Sequence, residues 1–270
     1  PVDTTVVIEQ VNTVPWVAPL PPDPLLVEQP PTVLPAMHRE NRYDDFKRER
    51  LLPFRYSKQG PGLAVGDVNG DGLKDVILTG AKYSKTVLYL QQKDGSFELD
   101  ENSGLSDVDE PEDVDVVLFD ADGDGDLDVY IVTGGSEFDP ADPALQDRFY
   151  VNSGMGRFSQ NPKAVPQQPV SSSRVRVEDY DRDGDQDLFV AGRSVPGKFP
   201  LSEPSRILRN DKGTFKDVTA TVAPQLLHAG LVSDGVWTDV DGDGDLDLVV
   251  VGDWMAPRIF MQNKGTFTER

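Results

Sequence analysis

The sequence predicts an all-β protein built from a repeated sheet of four strands, and three observations predict it. One acidic pattern recurs four times at near-constant spacing. Each copy stands between two short apolar stretches. Each is then followed by two alternating segments around a glycine-containing turn, which is the pattern of a hairpin.

The acidic copies are DVNGDGLKDVILTG from Asp67, DADGDGDLDVYIVTG from Asp120, DYDRDGDQDLFVAG from Asp179 and DVDGDGDLDLVVVG from Asp239. Their starts lie 53, 59 and 60 residues apart. All obey D-x-[DN]-x-D-G-x-x-D, then apolar residues and glycine. The strands before them read GLAVGD, VDVVLFD, SRVRVED and DGVWTD. The hairpins after them read TVLYLQQKDGSFEL, RFYVNSGMGRFSQ, RILRNDKGTFKDV and RIFMQNKGTFTER. A four-stranded unit with a period of about 60 residues suggests a β-propeller blade. A parallel β-helix needs a shorter period, and a βαβ array needs helical periodicity that these segments lack. The expected blades are residues 61–105, 112–161, 172–220 and 234–270. Residues 1–60 form a separate N-terminal extension, rich in Pro and Val as far as Pro35. Within it RENRYDDFKRERLLPF, from Arg39, reads as one or two helical turns or as a strand docked on the first blade.

Bare carboxylates this close together repel, so each acidic loop needs a counter-ion or a wide solvated turn, and the repeated glycine at position 6 and Asp at position 9 favour the ion. Calcium takes six to eight oxygen ligands, and side chains at loop positions 1, 3 and 5 converge when the backbone curls. Glycine at position 6 allows the sharp turn. The carbonyl at position 7 and the carboxylate at position 9 complete the set. The expected ligands in the first loop are Asp67, Asn69, Asp71, the carbonyl of Leu73, and Asp75. In the second they are Asp120, Asp122, Asp124, the carbonyl of Asp126, and Asp128. In the third they are Asp179, Asp181, Asp183, the carbonyl of Asp185, and Asp187. In the fourth they are Asp239, Asp241, Asp243, the carbonyl of Asp245, and Asp247. Gly72, Gly125, Gly184 and Gly244 take the turn position. An EF-hand or dockerin loop would require an acidic residue at position 12. Position 12 here is Leu78, Ile131, Val190 or Val250. Magnesium fits less well, because it prefers few carboxylates and keeps its waters. About four calcium ions are expected, one per loop.

Composition narrows the function classes. The chain has 270 residues, a formal charge of −21 and no cysteine. Nucleic acid is disfavoured as a partner, because its phosphates would repel the chain. No apolar run is long enough to span a bilayer. Disulfide frameworks and zinc–thiolate sites are excluded.

The repeats resemble the FG-GAP or VCBS repeat, the calcium-loop blade of integrin α-subunit propellers and of bacterial surface proteins. The likeness covers about residues 60–270. It looks closest to bacterial VCBS proteins with an ASPIC/UnbV-type domain, relatives of vertebrate cartilage acidic protein, on the segments LLPFRYSKQGPGLAVGDVNGDGLKD, GSEFDPADPALQDRFYVN and RSVPGKFPLSEPSRILRND. No ASPIC/UnbV domain itself is visible. The resemblance implies a seven-bladed propeller, of which these four blades are a piece, the alternative being a ring that closes with four. It also implies calcium in the loops and an extracellular or cell-surface location, secreted or outer-membrane associated.

Strand parity puts the two long connections, SEFDPADPALQD and SVPGKFPLSEPS, on the face opposite the metal loops. Long loops on a rigid scaffold often carry recognition. Phe138, Phe199, Arg193 and Trp254 are therefore candidates for a surface that meets a protein or glycan partner, or else they pack between blades. An adhesion or recognition module is the expected function. A part of a carbohydrate-active enzyme of polysaccharide-lyase type, or a structural spacer, are the alternatives. Catalysis is not expected. His38 and His228 lie outside every recurrent motif and read as surface residues, and the acidic residues are already used as ligands.

Overall fold

A computed structural model describes residues 28–270. Residues 1–27, which hold most of the Pro- and Val-rich stretch, lie outside the described residues. Residues 31–270 form one compact unit.

Among the described residues, sixteen strands make four separate antiparallel sheets of four, each in simple chain order. The first holds β1 (Leu63–Gly66), β2 (Asp75–Leu78), β3 (Val87–Gln91) and β4 (Phe97–Asp100). The second holds β5 (Asp113–Phe119), β6 (Asp128–Thr133), β7 (Arg148–Asn152) and β8 (Phe158–Gln160). The third holds β9 (Ser172–Glu178), β10 (Asp187–Gly192), β11 (Arg206–Asp211) and β12 (Thr214–Asp217). The fourth holds β13 (Leu231–Thr238), β14 (Asp247–Asp253), β15 (Arg258–Asn263) and β16 (Thr266–Glu269). The predicted four-stranded unit therefore folds four times, with each acidic loop joining its first strand to its second.

The apolar run after each loop has a packing cause. Successive side chains of a strand point to opposite faces. Val129 and Ile131 of β6 pack with Ile77 and Leu88 of the preceding sheet. Tyr130 and Val132, between them, pack with Leu188 and Val190 of the following one. Phe189 and Ala191 of β10 meet Leu248 and Val250 in the same way. A strand flanked by sheets on both sides must be apolar at nearly every position. Each such side chain contributes about 1.5–3 kcal/mol by leaving water. Gly235 of β13 lets the layers close, because a Cβ there would sit 2.5 Å from Cε1 of Phe189.

The first strands lie side by side in chain order, β1 by β5, β5 by β9 and β9 by β13. Arg176 of β9 donates to Asp115 of β5 at 3.1 Å and to Asp234 of β13 at 2.7 Å. Arg206 of β11 donates to Asp147, just before β7, at 2.7 Å, and both are fully buried. Between the third and fourth sheets the connector carries a short helix, α1 (Thr219–Val222), and a 3₁₀ turn over Pro224–His228. Its Ala223 and Leu226 enter the core.

The segment from Arg39 does not form a strand. It makes one helical turn, Asp45–Arg48, and a 3₁₀ turn, Tyr56–Lys58. It crosses the ends of the second, third and fourth sheets, and at its start the carbonyl of Arg39 accepts from the Ser84 hydroxyl in the first sheet's β2–β3 connection. Buried Asp45 accepts from the N–H and hydroxyl of Ser57 and from the hydroxyl of Ser136. Arg48 donates to the carbonyls of Ser136 and Phe138. Glu49 accepts from the N–H of Phe199, and the Tyr56 hydroxyl donates to Asp253 at 2.8 Å. All of these partners lie on the face opposite the acidic loops.

Removing one member of the Arg206–Asp147 pair leaves a buried charge alone. Asp147→Ala is expected to lower stability by about 3–5 kcal/mol in urea unfolding. A loss under about 1 kcal/mol would mean that the pair does not hold the second and third sheets together.

Candidate metal centres

Each acidic loop is wound by its own carboxylates. The position 1 side chain accepts from the backbone N–H groups of positions 4 and 6. Asp67 receives Gly70 and Gly72 at 2.8 Å, Asp120 receives Gly123 and Gly125, and Asp239 receives Gly242 and Gly244. Asp179 receives Gly184 at 3.1 Å. Position 5 accepts from the N–H of position 7 in all four loops, at Asp71, Asp124, Asp183 and Asp243.

This winding needs left-handed backbone twice. Gly72, Gly125, Gly184 and Gly244 have φ of +85°, +94°, +99° and +94°. Position 4 is left-handed as well, at Gly70, Gly123 and Gly242, with φ from +75° to +79°. A Cβ at Gly70, Gly72, Gly123 or Gly125 would meet nothing within 4 Å, so the dihedral and not crowding selects glycine. The third loop puts Arg182 at position 4 with φ +59°. Its guanidinium donates to the carbonyl of Gly244 in the neighbouring loop. The sequence reading found position 6 and missed position 4, although glycine recurs there in three of four loops.

The position 9 carboxylate stands at the base of the loop. Asp75, Asp128, Asp187 and Asp247 begin the second strands and are buried. One oxygen of each accepts from the end of the third strand, at the N–H of Gln91, Asn152, Asn210 or Gln262. The other accepts from position 2 in three loops, at Val68, Ala121 and Val240. A single side chain thus ties the second and third strands to one another and, in three sheets, to the loop.

Positions 1, 3 and 9 converge. Carboxylate oxygens of Asp120, Asp122 and Asp128 lie within 4.8 Å of one another, and the same holds for Asp179, Asp181 and Asp187 and for Asp239, Asp241 and Asp247. The first loop carries Asn69 at position 3, so its equivalent set is Asp67, Asn69 and Asp75. The position 5 carboxylates fall outside these trios and turn back to the backbone. Leu73, Asp126, Asp185 and Asp245 enter the turn through their N–H groups, and their carbonyls remain ligands expected from spacing.

The electrostatics are those of crowded, buried carboxylates. Burial pushes Asp187 up to about 8, with Asp181, Asp183 and Asp179 pushing the same way. Burial pushes Asp128 up to about 6, with Asp122 and Asp124 adding to it. Asp75, Asp122 and Asp181 are raised by burial and by neighbouring loop carboxylates. In the third loop Asp179 Oδ1, Asp181 Oδ1 and Asp187 Oδ2 are buried without partners. Buried acceptors ordinarily find donors. Orphaned carboxylate oxygens in a set built only from oxygen fit a hard divalent cation.

A second set of residues holds the first three loops from outside. The Asn152 side-chain amide donates to the carbonyl of Val68, position 2 of the preceding loop, at 2.8 Å. Asn210 donates to Ala121 and Gln262 to Tyr180, both at 2.7 Å. These residues escaped the sequence reading. Their signal is an Asn or Gln at one place in each hairpin, in YVNSG, LRNDKG and FMQNKG.

On the opposite face the candidate recognition residues divide. Phe138 is buried beneath Lys82, whose Nζ lies 4.0 Å from the ring centre. Arg193 is buried, paired with Asp253 and laid over the Tyr56 ring. Both therefore pack within the protein. Phe199 is half-buried between Tyr56 and Trp254, and Trp254 is 69% exposed. His228 is exposed. His38 is not a plain surface residue. It is half-buried, with Nδ1 donating to the carbonyl of Thr79 and Nε2 2.9 Å from Glu40. Among the described residues no helix is long and apolar enough to cross a membrane.

Residues 67–131, which span the first two loops, match the family model described as FG-GAP-like repeat. The resemblance to FG-GAP-type repeats is thus shown over that segment. The V. cholerae biofilm matrix protein Bap1 is a similar solved structure, at 16% identity and a TM-score of 0.36, over 77% of this chain and 30% of that chain. This chain spans under a third of that protein's length. Comparison with curated proteins gives no match.

A carboxylate whose pKa is raised on folding holds its proton more tightly in the folded chain. Its contribution to stability is then present at low pH and is lost as pH rises through the folded value. For Asp187 that window runs from 3.8 to about 8. A divalent cation bound in the loop would offset this loss. In scanning fluorimetry, the rise in Tm between chelator and excess calcium is expected to be larger at about pH 8 than at about pH 5. An equal or smaller rise at the higher pH would contradict the assignment.

Proposed function

We propose that the chain is a calcium-binding, extracellular β-propeller module whose four sheets are successive blades of a larger ring. The observation that carries this reading is the convergence of positions 1, 3 and 9 in consecutive sheets, with buried carboxylate oxygens left unpartnered in the third. Donor sets of this type in extracellular modules take calcium at the concentrations found outside cells.

Two end faces support the larger ring. Leu63 and Val65 of β1 are exposed, whereas Val116 in the neighbouring first strand is buried. At the other end Val251 is exposed, whereas Ala191, its counterpart in the third sheet, is buried. A seven-bladed ring, as in the proteins these repeats resemble, would cover both faces. Calcium would then act structurally, fixing each loop at the base of its blade.

Recognition of a protein or glycan partner belongs to the face opposite the loops. Trp254 is bulky, exposed and held at φ +55°, a conformation that costs a non-glycine residue about 1–3 kcal/mol. Phe199 backs it at 4.9 Å, with Phe54 and Leu201 also exposed. An exposed aromatic ring with a rigid backing suits stacking on a sugar ring or on a partner's apolar side chain.

The test is a glycan array and a surface-protein binding screen with the wild-type chain and Trp254→Ala, both in calcium. The expected result is a ligand whose binding falls tenfold or more in the variant while its calcium-dependent melt is unchanged. A ligand bound equally by both proteins would remove this face from the reading. Turnover of a polysaccharide would favour the enzyme instead.

A further inference from the structure

The segment that straps the sheets together, on the face opposite the acidic loops, carries a sorted set of charges. Residues 39–58 hold seven of the chain's 26 Lys and Arg residues and only four of its 47 Asp and Glu residues. The acids turn inward. Asp45 is buried against Ser57 and Ser136, and Glu49 is buried on the N–H of Phe199. Glu40 is bound to His38. Of the four, Asp44 alone is exposed.

The bases turn outward and meet in one groove. Arg42, Lys47, Arg48, Arg55 and Lys58 line a cavity of about 690 Å³, with Asp44 the single acid on its wall. Among the described residues Arg42, Arg55 and Lys58 form no ion pair within 4.0 Å. Lys47 reaches Asp44 only at 4.0 Å, and both side chains are well exposed, so that pair contributes little. The floor of the groove is fixed. The Arg48 guanidinium donates to the carbonyls of Ser136 and Phe138 at 3.1 and 2.7 Å, and it packs on Gly197, where a Cβ would lie 2.9 Å from Nη2. The Tyr43 hydroxyl donates to the same Ser136 carbonyl. Both side chains are thus held by the connection between β6 and β7.

The wall selects the occupant. Five cations gathered in a chain of net charge −21 call for an anion. Guanidinium groups match oxyanions through paired N–H donors. No aliphatic residue lines the groove, so the apolar anchor of a protein partner has no seat there. Tyr43 adds an aromatic wall that suits a sugar ring. The volume is that of a site for a small ligand or a short stretch of a chain.

We propose that this groove binds an acidic glycan, a sugar chain bearing carboxylate or sulfate groups. The inference rests on the reading that this face recognises a partner, and it names that partner's chemistry. Arg42, Arg55 and Lys58 supply cations that no carboxylate of the described chain neutralises. Arg48 supplies one already oriented by the scaffold. The groove shares no residue with the acidic loops.

The test is calorimetric titration of the wild-type chain, in calcium, with a hyaluronan fragment, a sulfated dextran, plain dextran and a glutamate peptide, all of matched length. The expected result is binding of one or both acidic sugars and not of plain dextran, weakened tenfold or more between about 50 and about 500 mM NaCl. The hyaluronan and sulfate arms tell carboxylate from sulfate. The triple variant Arg42→Gln, Arg55→Gln, Lys58→Gln changes only exposed side chains and is expected to bind tenfold or more weakly. A control variant, Lys93→Gln, Lys163→Gln, Lys216→Gln, removes the same charge from exposed positions elsewhere and is expected to bind as wild type does. Equal loss in both triple variants would reduce the effect to net charge and overturn the site. Binding of neither acidic sugar, or tighter binding of the glutamate peptide than of both, would overturn it too. A ligand lost in Trp254→Ala but kept in the groove variant would overturn the groove and leave the recognition face standing.

Discussion

The position 9 aspartate is the constraint on which the sheets depend. It begins the second strand, is buried, and accepts backbone N–H groups from the third strand and, in three loops, from position 2. A hydrogen bond to a carboxylate is stronger than one between neutral groups. That strength exists only while the carboxylate is ionised. In the first three loops burial, with the neighbouring loop carboxylates, raises its pKa and so opposes ionisation. Fold and site are therefore one problem. A positive charge in those loops would favour the anion that organises the sheet.

The loops are also coupled to one another. Side-chain amides of Asn152, Asn210 and Gln262 reach back to the preceding loop, and Arg182 reaches forward to the next. A change in the winding of one loop alters a hydrogen bond made by the adjacent sheet. At the other end the sheets are joined differently. Buried pairs such as Arg206–Asp147, and the crossing segment with Asp45 and Tyr56, tie the second to fourth sheets together. The acidic-loop end and the strap end act on the same four sheets.

Most of the sheet architecture was legible because it is periodic. The four D-x-[DN]-x-D-G-x-x-D copies, the apolar runs and the hairpins repeat, and repetition separates a structural demand from chance. Loop curvature was read as gathering positions 1, 3 and 5 with position 9 completing the set, whereas in three loops positions 1, 3 and 9 converge. What escaped was aperiodic or carried by backbone. The need for left-handed φ at position 4 was hidden in the third loop by Arg182. The amide grips come from Asn twice and Gln once, and they act between sheets distant in sequence. The strap could not be read from RENRYDDFKRERLLPF, because its partners lie about 90 to 200 residues away and its one helical turn is too short to declare itself. Phe138 and Arg193 were candidates for an outer surface by their place in long connections. Burial decided otherwise, through contacts with Lys82, Tyr56 and Asp253.

Equilibrium dialysis that counts calcium bound per chain tests the central claim most directly. The proteins to compare are wild type and the single variants Asp128→Asn, Asp187→Asn and Asp247→Asn, each of which keeps the shape of position 9 and removes its charge. The account predicts tight binding to wild type and the loss of one ion in each variant. Equal counts in all four proteins, or no calcium bound by wild type, would contradict it.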